Sequence, residues 1–314
     1  MNTKTFKFLF LSAQKIKNVL GIENYNAFIK KFKRSFLRII FKKKYTANEI
    51  INVMKVMGLE KGSIVFIHSS MTEFYNYSGT AEELIRKLIE EIGEEGTLLM
   101  PAYPKSTSPK KSLDEVSFDV QNTTSGAGYL TEVFRKYPGV KRSINIQQSV
   151  CAYGKLADYF VSEHHRSLTA WDEFSPYFKM AQMDTLVFAL GLPYFLGTMI
   201  HCTESILRTK YRYFQMFFRV EKEYKYRDEE GKLGMQRYLT HDFARKRSKK
   251  KIIKQYFDKT QFHYSKISNL RIEMVNAKYT LDLYLRLADI GITMYSIPSP
   301  KRYIDSSGKF LKVE

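Results

Sequence analysis

The chain has 314 residues, 44% of them hydrophobic and 15% aromatic, which is the composition of a packed globular protein and not of a disordered one. Its two cysteines, Cys151 and Cys202, are too few for a disulfide scaffold and favour a reducing, cytoplasmic setting. No apolar run approaches the roughly 20 residues of a membrane-spanning helix, and the opening stretch FLFLSA is shorter than the core of a signal peptide. The net charge of +19 favours anionic partners.

Much of that charge lies in residues 1–45, a segment with twelve Lys or Arg and one acid, Glu23. Phe28, Phe32 and Phe36 recur every four residues among these cations, as in an interfacial amphipathic helix. Three interpretations remain open: a solvated helix packed on the main domain, a helix docked on an anionic membrane surface, and a nucleic-acid contact. Because the chain has no zinc-finger spacing and no helix-turn-helix pattern, nucleic acid is the least favoured partner. We treat residues 1–45 as a basic helical extension and 46–314 as one domain.

After Tyr45, helix and strand patterns alternate. A helix with Thr46 as its N-cap precedes the apolar strand IVFIHSS, and the amphipathic helix TAEELIRKLIEEIG precedes the strand GTLLMPAY. The helix GYLTEVFRKY and the strands SVCAYG and DTLVFALGL follow. This alternation predicts an α/β fold, with a largely parallel or mixed central sheet flanked by helices. Since ligands bind beyond the carboxyl ends of such strands, the loops after Ile67, Met100 and Leu190 are the expected site.

The second half of the chain is less regular. The segment RVEKEYKYRDEEGKLGMQRYLTHDF alternates about a DEEGK turn, which predicts an antiparallel hairpin. The segment NAKYTLDLYLRLADIG predicts an amphipathic helix. His164 and His165 have no partner nearby at metal-ligand spacing, so we expect them on the surface.

Several common catalytic motifs are absent from the sequence. It has no G-x-x-x-x-G-K-[ST] phosphate loop, no G-x-G-x-x-G, no G-x-S-x-G, no H-E-x-x-H and no C-x-x-C. These absences disfavour a nucleoside triphosphatase, a dinucleotide enzyme, a serine hydrolase of the usual kind and a zinc protease. We predict no metal ion.

Six segments carry a resemblance to a known family. They are IVFIHSSM, GTLLMPAY, FDVQNTTSGAGYLTEVFRKYPGVKRS, QQSVCAYG, DEFSPYF and LVFALGLPYFLGTMIHCTE. In order and spacing they resemble the aminoglycoside 3-N-acetyltransferase family, from about Thr46 to about Ile290. The resemblance implies direct transfer of an acyl group from acyl-coenzyme A, most simply acetyl-CoA, to a sugar amine, without an acyl-enzyme intermediate.

Such a reaction needs a base for the amine proton and donors for the carbonyl oxygen that becomes negative. The resemblance places the coenzyme A contacts in the turns after the strands and in the turn NTTSGAG, although polar turns also cap helices. The predicted contacts are His68, Ser69, Ser70, Met71, Pro101, Tyr103, Thr123, Ser125 and Ser149, and on the acceptor side Gln148 and Thr198.

The position of the base departs from the family pattern. Antibiotic-modifying members usually carry a histidine just before the serine of QQSVCAYG, where this chain has Gln148, which cannot accept a proton at neutral pH. An acidic residue often precedes the later histidine, and here Tyr194 and Phe195 stand instead.

The later family stretch is retained in GTMIHCTE. If Thr198 caps a helix, His201 and Glu204 lie one turn apart on the same face. We therefore expect His201 to be the base and Glu204 to fix its tautomer. The other interpretation is a core histidine satisfied by a local carboxylate. Cys202 is expected in the core.

The net charge of the chain indicates which kind of acceptor substrate it can attract. A protein of net charge +19 repels polycationic aminoglycosides, so an anionic amino sugar, nucleotide-linked or lipid-linked, suits it better. The predicted function is an N-acyltransferase of surface polysaccharide biosynthesis, at the inner face of the cell membrane if the extension docks there. The alternative, motivated by Gln148, is a non-catalytic descendant that binds coenzyme A or a glycan.

Overall fold

The computed structural model describes residues 35, 40–110, 112, 114–192, 198–241, 246–247, 249–297 and 299–314. The predicted stripe of Phe28, Phe32 and Phe36, together with the departures at Tyr194 and Phe195, lies outside these residues. The described helices are α1 (Ala47–Val56), α2 (Ala81–Ile92), α3 (Tyr129–Arg135), α4 (Ala157–Val161), α5 (Pro176–Ala181), α6 (Met199–Leu207), α7 (Arg212–Gln215), α8 (Lys249–Tyr256) and α9 (Ala277–Asp289). Short 3-10 helices cover Met71–Glu73, His164–Arg166 and Pro300–Tyr303.

The strands are β1 (Ile64–Ser69), β2 (Thr97–Pro101), β3 (Val116–Asp119), β4 (Lys141–Arg142), β5 (Val150–Gly154), β6 (Thr185–Leu190), β7 (Phe218–Arg227), β8 (Leu233–His241), β9 (Lys246–Arg247), β10 (Phe262–Ile267), β11 (Leu270–Asn276) and β12 (Tyr295–Ile297). The predicted start of α1 is confirmed: the Thr46 hydroxyl accepts from the backbone N–H of Glu49, whose carboxylate accepts from the backbone N–H of Thr46.

Seven strands form the central sheet, in the order β10-β11-β6-β1-β2-β5-β4. Only its centre is parallel, because β1 pairs in parallel with β2 and β6 while β5 and β11 pair antiparallel to their neighbours. Of the two expected forms, the sheet is therefore mixed. The β10–β11 hairpin, which the sequence patterns did not predict, turns at Ser268, a non-glycine residue with a φ of 52°. The carboxyl ends of β1, β2 and β6 meet at one edge, as predicted.

Helices cover both faces of the sheet. Along β1, Val65 and Ile67 pack into one core layer with α1 and α2, whereas Phe66 packs into the opposite layer with Trp171 and Tyr177. This alternation is the period-2 geometry of a strand buried on both sides. The second layer contains α4, α5, α6 and α9, so α6 enters the core directly after the β6 edge.

A smaller sheet has the strand order β3-β7-β8. Strands β7 and β8 form the predicted antiparallel hairpin, with Phe218 opposite His241. This register brings the end of β8 against α6. None of the helices in the described ranges has the length and apolar character of a membrane span.

Candidate active site

The loops after β1 and β6 contact one another. The backbone N–H of Ser70 donates to the carbonyl of Leu190 at 2.9 Å. Gly191 has a φ of +78°, and a Cβ built there would lie 2.8 Å from Cβ of Glu73 and 3.2 Å from the Ser70 carbonyl oxygen, so a side chain at this position would be strained. The Thr198 hydroxyl lies 3.4 Å from Nε2 of His68. The start of α6 therefore borders the β1 edge.

The loop after β2 and the turn before α3 close on the same place. The backbone N–H of Gly126 donates to the Tyr103 carbonyl at 2.7 Å, and a Cβ at Gly126 would meet the Lys105 backbone at 2.7 Å. A Cβ at Gly128 would lie 3.6 Å from the carbonyl oxygen of Ser69. Burial raises the pKa of Tyr103, so its hydroxyl stays protonated. The structure thus brings together the segments in which coenzyme A contacts were predicted.

The residues after β1 differ in what their side chains do. The Ser69 hydroxyl is buried and has no hydrogen-bond partner among the described residues. The Ser70 hydroxyl lies 2.9 Å from that of Thr72. Met71 begins the 3-10 helix, and Pro101 is the buried last residue of β2. Of the two serine hydroxyls, the one that makes no hydrogen bond within the described residues is that of Ser69.

The Ser149 hydroxyl makes its hydrogen bonds within the protein. Its hydroxyl is fully buried, donates to the Ala102 carbonyl at 2.8 Å and accepts from Nε of Arg142 at 3.3 Å. The first interaction ties the start of β5 to the loop after β2, and the second ties it to β4. A contact between the Ser149 hydroxyl and coenzyme A stays a prediction.

Thr123 and Ser125 also use their hydroxyls internally. The Thr123 hydroxyl accepts from the backbone N–H of Asp119 at 2.8 Å, and the Ser125 hydroxyl accepts from that of Ala127 at 3.1 Å. These are the turn-stabilising interactions that the sequence left open as an alternative. The two residues shape the turn, and a contact between their hydroxyls and coenzyme A stays a prediction.

Gln148 lies beside the aromatic wall of the same edge. The Tyr177 hydroxyl donates to Oε1 of Gln148 at 3.4 Å. The ring of Tyr177 meets Phe66 edge-on at 5.6 Å, and Phe66 meets His68 at 4.5 Å. Gln148 is half-buried, which fits the acceptor side of the site.

A hydrogen-bonded cluster lies on α6. Nδ1 of His201 donates to Oε2 of Glu204 at 2.8 Å, so the predicted contact one turn apart is present. Nε2 of His241, at the end of β8, donates to the same oxygen at 2.5 Å. His241 and Glu204 have fully buried side chains, and that of His201 is 6% exposed. One carboxylate oxygen therefore accepts from two imidazoles.

The predicted cap of this helix is wrong in one detail. Thr198 occupies the N-cap position of α6, but its side chain makes no capping hydrogen bond. The hydroxyl instead lies against His68. The Thr198 side chain consequently connects the helix start to the β1 edge and does not cap the first turn.

The two histidines keep the carboxylate charged. Burial favours the neutral acid, but the interactions with His201 and His241 outweigh burial and hold the pKa of the Glu204 carboxyl well below its usual range. The Trp171 ring lies 4.7 Å from that of His201 and 5.2 Å from that of His241. Phe217 stacks on His241 at 5.6 Å, so both imidazoles are fixed by packing.

Two histidines and a glutamate are also a possible metal-ligand set, and their ligand atoms lie within 4.8 Å of one another. The contacts of 2.5 and 2.8 Å are those of direct hydrogen bonds. Two ligand atoms on a tetrahedral zinc ion, each at about 2.1 Å from the metal, stand farther apart than that. The arrangement holds protons between the groups, and we do not identify it as a metal centre.

Sequence reasoning missed His241 and Trp171. The signal for His241 was present, because LTHDF closes the predicted hairpin, but the neighbour of that strand end was unknown. The expectation for His164 was wrong: it is fully buried, its Nδ1 pairs with the Ser143 hydroxyl at 2.8 Å, and burial lowers its pKa to about 3. Cys202 is buried, as expected.

Comparisons with known proteins agree with this geometry. The family model for aminoglycoside 3-N-acetyltransferase matches residues 66–288. The SPbeta prophage-derived aminoglycoside N(3')-acetyltransferase-like protein YokD of Bacillus subtilis (strain 168) is 30% identical over 176 residues, which cover 51% of this chain and 64% of YokD. The aminoglycoside N(3)-acetyltransferase III of Salmonella sp is 23% identical over 175 residues, 52% of this chain and 61% of that protein. The matched part of the chain thus spans less than two thirds of the length of these relatives.

Solved structures show the same fold. The aminoglycoside acetyltransferase AAC(3)-Xa superposes with a TM-score of 0.68 at 18% identity, covering 82% of this chain and 96% of that one. AAC-IIIb, in its binary complex with CoASH, superposes with a TM-score of 0.62 at 20% identity, covering 78% of this chain and 96% of the other. Because the family model spans more than half of the sequence, and the fold is that of its solved members, the chain belongs to the aminoglycoside 3-N-acetyltransferase family.

Proposed function

We propose that the protein transfers an acetyl group from acetyl-CoA to the amine of an amino sugar, with His201 as general base. The observation that carries the proposal is the buried pair of His201 and Glu204 at 2.8 Å, one turn into the helix that follows β6. Thr198 links the start of that helix to His68 at the β1 edge. The pair therefore adjoins the loops in which the family resemblance places the thioester.

The tautomer of His201 decides which of its ring nitrogens can act as the base. Because Nδ1 of His201 donates to Glu204, Nε2 is the nitrogen that takes the proton of the attacking amine. The amine nitrogen forms a bond to the thioester carbonyl carbon, and the carbonyl oxygen becomes negative. Backbone N–H groups of the turn after β1 are suited to stabilise it. The carbon–sulfur bond then breaks, and the leaving thiolate of coenzyme A takes up the proton that His201 received from the amine, directly or through solvent, which restores the neutral base.

The donor site has a specific observation in its favour. The buried Ser69 hydroxyl at the end of β1 is one of several buried polar atoms without a hydrogen-bond partner among the described residues, and a ligand or a water molecule can satisfy it. An amide of pantetheine or the thioester carbonyl is a suitable partner. Coenzyme A itself is supported by AAC-IIIb, whose structure is a binary complex with CoASH.

For the acceptor, we propose an amino sugar that carries phosphate. Relatives of known structure bind aminoglycosides, as in AAC-VIa bound to sisomicin. This chain has a net charge of +19, which repels a polycation and attracts a nucleotide-linked or lipid-linked sugar. Such an acceptor belongs to the assembly of surface polysaccharides.

The test measures thiol release from acetyl-CoA in the presence of amino-sugar nucleotides and, in parallel, of aminoglycosides. His201→Gln is expected to lower turnover by about 10²- to 10⁴-fold at neutral pH, the range for loss of a general base. The loss should shrink at high pH, where more of the amine is already neutral. Unchanged turnover with a lower melting temperature would assign His201 to the core.

Two further results of the same assay decide between acceptor substrates, and between an enzyme and a non-catalytic binding protein. Turnover of aminoglycosides alone would overturn the anionic acceptor. Binding of coenzyme A without thiol release for any amine would favour the non-catalytic descendant that Gln148 suggests.

We also propose that residues 1–44 dock the enzyme on an anionic membrane surface at the inner face of the cell membrane. Their basic residues each contribute about 1 kcal/mol near such a surface. Removing these residues should release the protein from phosphatidylserine vesicles, and leave turnover of water-soluble amino-sugar nucleotides unchanged. Equal sedimentation of both forms with the vesicles would contradict the proposal, and loss of folding in the truncated form would assign the segment to the core.

A further inference from the structure

His241 reaches the candidate site from a different part of the fold. It is the last residue of β8, 37 residues after Glu204, and its Nε2 donates to the oxygen that accepts from His201. Trp171 and Phe217 pack on the His241 ring at 5.2 and 5.6 Å, which fixes its direction. Because His241 bonds the same oxygen of Glu204, it competes with His201 for the charge and the hydrogen-bonding capacity of that carboxylate.

The charges around the cluster are few in the described part of the chain. On α6 they are His201, Glu204 and the buried thiol of Cys202, and on β8 they include His241. From the segment before α5, Asp172 acts on Cys202. Trp171 from that segment, and Phe217 and Phe218 at the start of β7, pack on the cluster without a charge. Among these groups, the Glu204 carboxylate is the anion that both imidazoles contact directly.

One carboxylate neutralises one cation. If Glu204 served His201 alone, its full charge would stabilise the imidazolium of His201 and so favour the form of the ring that cannot accept another proton. With His241 on the same oxygen, the charge and the hydrogen-bonding capacity of Glu204 are divided between two rings. Division of the charge weakens the stabilisation that Glu204 gives to the imidazolium of His201.

We propose that His241 is a positioning residue that, by sharing Oε2 of Glu204, keeps His201 unprotonated and ready to accept the proton of the attacking amine. The inference rests on the proposed function in so far as His201 is the base. The geometry that carries it is the pair of donors on one buried oxygen, at 2.5 and 2.8 Å. The two donors come from α6 and β8, which are separated in sequence and meet only in the folded protein.

The first measurement requires no substrate. In full-length protein labelled with ¹⁵N-histidine, the protonation of His201 is followed by NMR between pH 5 and 9. His241→Leu removes the second donor, and the His201 titration midpoint should rise by about one pH unit, a ten-fold change in its protonation equilibrium. His241→Gln retains a neutral donor to Glu204 and should restore part of the difference.

The second measurement is the pH profile of kcat/KM with acetyl-CoA and UDP-glucosamine as the amine probe. The acid limb of His241→Leu should move to higher pH in step with the NMR midpoint, with about a ten-fold loss at pH 7. His164→Gln is the matched control, since His164 is also a buried histidine but bonds Ser143 and not Glu204. It should lower stability without moving the His201 midpoint.

An unmoved His201 midpoint in folded His241→Leu would overturn the inference, even if the melting temperature fell. The two proposals fail in different ways. If His201→Gln keeps full turnover, the proposed base is wrong whatever His241 does. If His201→Gln is inactive and the His201 midpoint is the same in both His241 variants as in the wild type, only the role of His241 is wrong.

Discussion

At the scale of single residues, Glu204 combines a contribution to stability with the role that we propose for it in catalysis. Its carboxylate is fully buried, remains charged, and is bonded by two imidazoles. A buried carboxylate with a lowered pKa stabilises the folded state above the ordinary pKa of a glutamate, and this contribution is lost as the pH falls toward the lowered value. The residue thus stabilises the fold at the pH at which it orients His201.

Glu204→Gln is expected to lower turnover by about 10²-fold and the free energy of unfolding by about 3 kcal/mol. The amide keeps the shape of the side chain but carries no charge, so it is a weaker acceptor for the two imidazoles and does not stabilise the imidazolium that forms when His201 takes the amine proton. The measurements are steady-state turnover and urea denaturation at pH 7.5. Glu90→Gln is the control, because the Glu90 carboxylate pairs with Arg86 at the surface and should contribute less than about 1 kcal/mol. Full turnover in Glu204→Gln would show that the carboxylate does not act on the base.

At the scale of elements, the loops that border the site are joined through Arg142, in β4. Its guanidinium is buried and donates to the carbonyls of Val120 (3.2 Å), Thr123 (2.5 Å) and Ala102 and to the Ser149 hydroxyl. Burial lowers the pKa of Arg142 to about 10, so the group stays charged at neutral pH. One side chain therefore holds β5, the loop after β2 and the turn after β3.

Arg142→Lys should lower the free energy of unfolding by about 2 to 3 kcal/mol, because one ammonium cannot reach the carbonyls that the planar guanidinium spans, and a buried carbonyl without a donor is costly. Release of the two loops should also raise the KM for acetyl-CoA more than it lowers kcat. Arg86→Lys, on the exposed face of α2, is the control and should change neither quantity. An unchanged KM would separate Arg142 from the donor site.

At the scale of the whole molecule, buried His164 makes stability depend on pH. Burial lowers its pKa to about 3, whereas an unfolded histidine titrates near 6.5. Below pH 6.5 the unfolded chain therefore binds a proton that the folded chain does not. The contribution of His164 to the free energy of unfolding is therefore fully present above pH 6.5 and is lost as the pH is lowered toward 3.

The expected slope from His164 is about 1.4 kcal/mol per pH unit between those values. Urea denaturation at pH 7.5, 6 and 5 measures it, as the difference in slope between the wild type and His164→Gln. The substitution lowers stability at pH 7.5 because it disturbs the contacts with Ser143 and Ala170, but it should flatten the dependence between pH 6 and 5. Parallel slopes for the two proteins would show that His164 takes up a proton in the folded state.

The sequence by itself determined the features that depend on neighbours along the chain. Periodicity predicted α1, α2, the central strands and the β7–β8 hairpin, because a helix or strand is specified by side chains three, four or two residues apart. The contact between His201 and Glu204 was predictable for the same reason, since three residues of separation place both on one helical face. Tertiary structure alone decided the rest: His241 joins Glu204 across 37 residues through the register of a hairpin. Packing likewise buried His164 and used the Ser149 hydroxyl internally, because burial and hydrogen-bond partners depend on which elements meet in space.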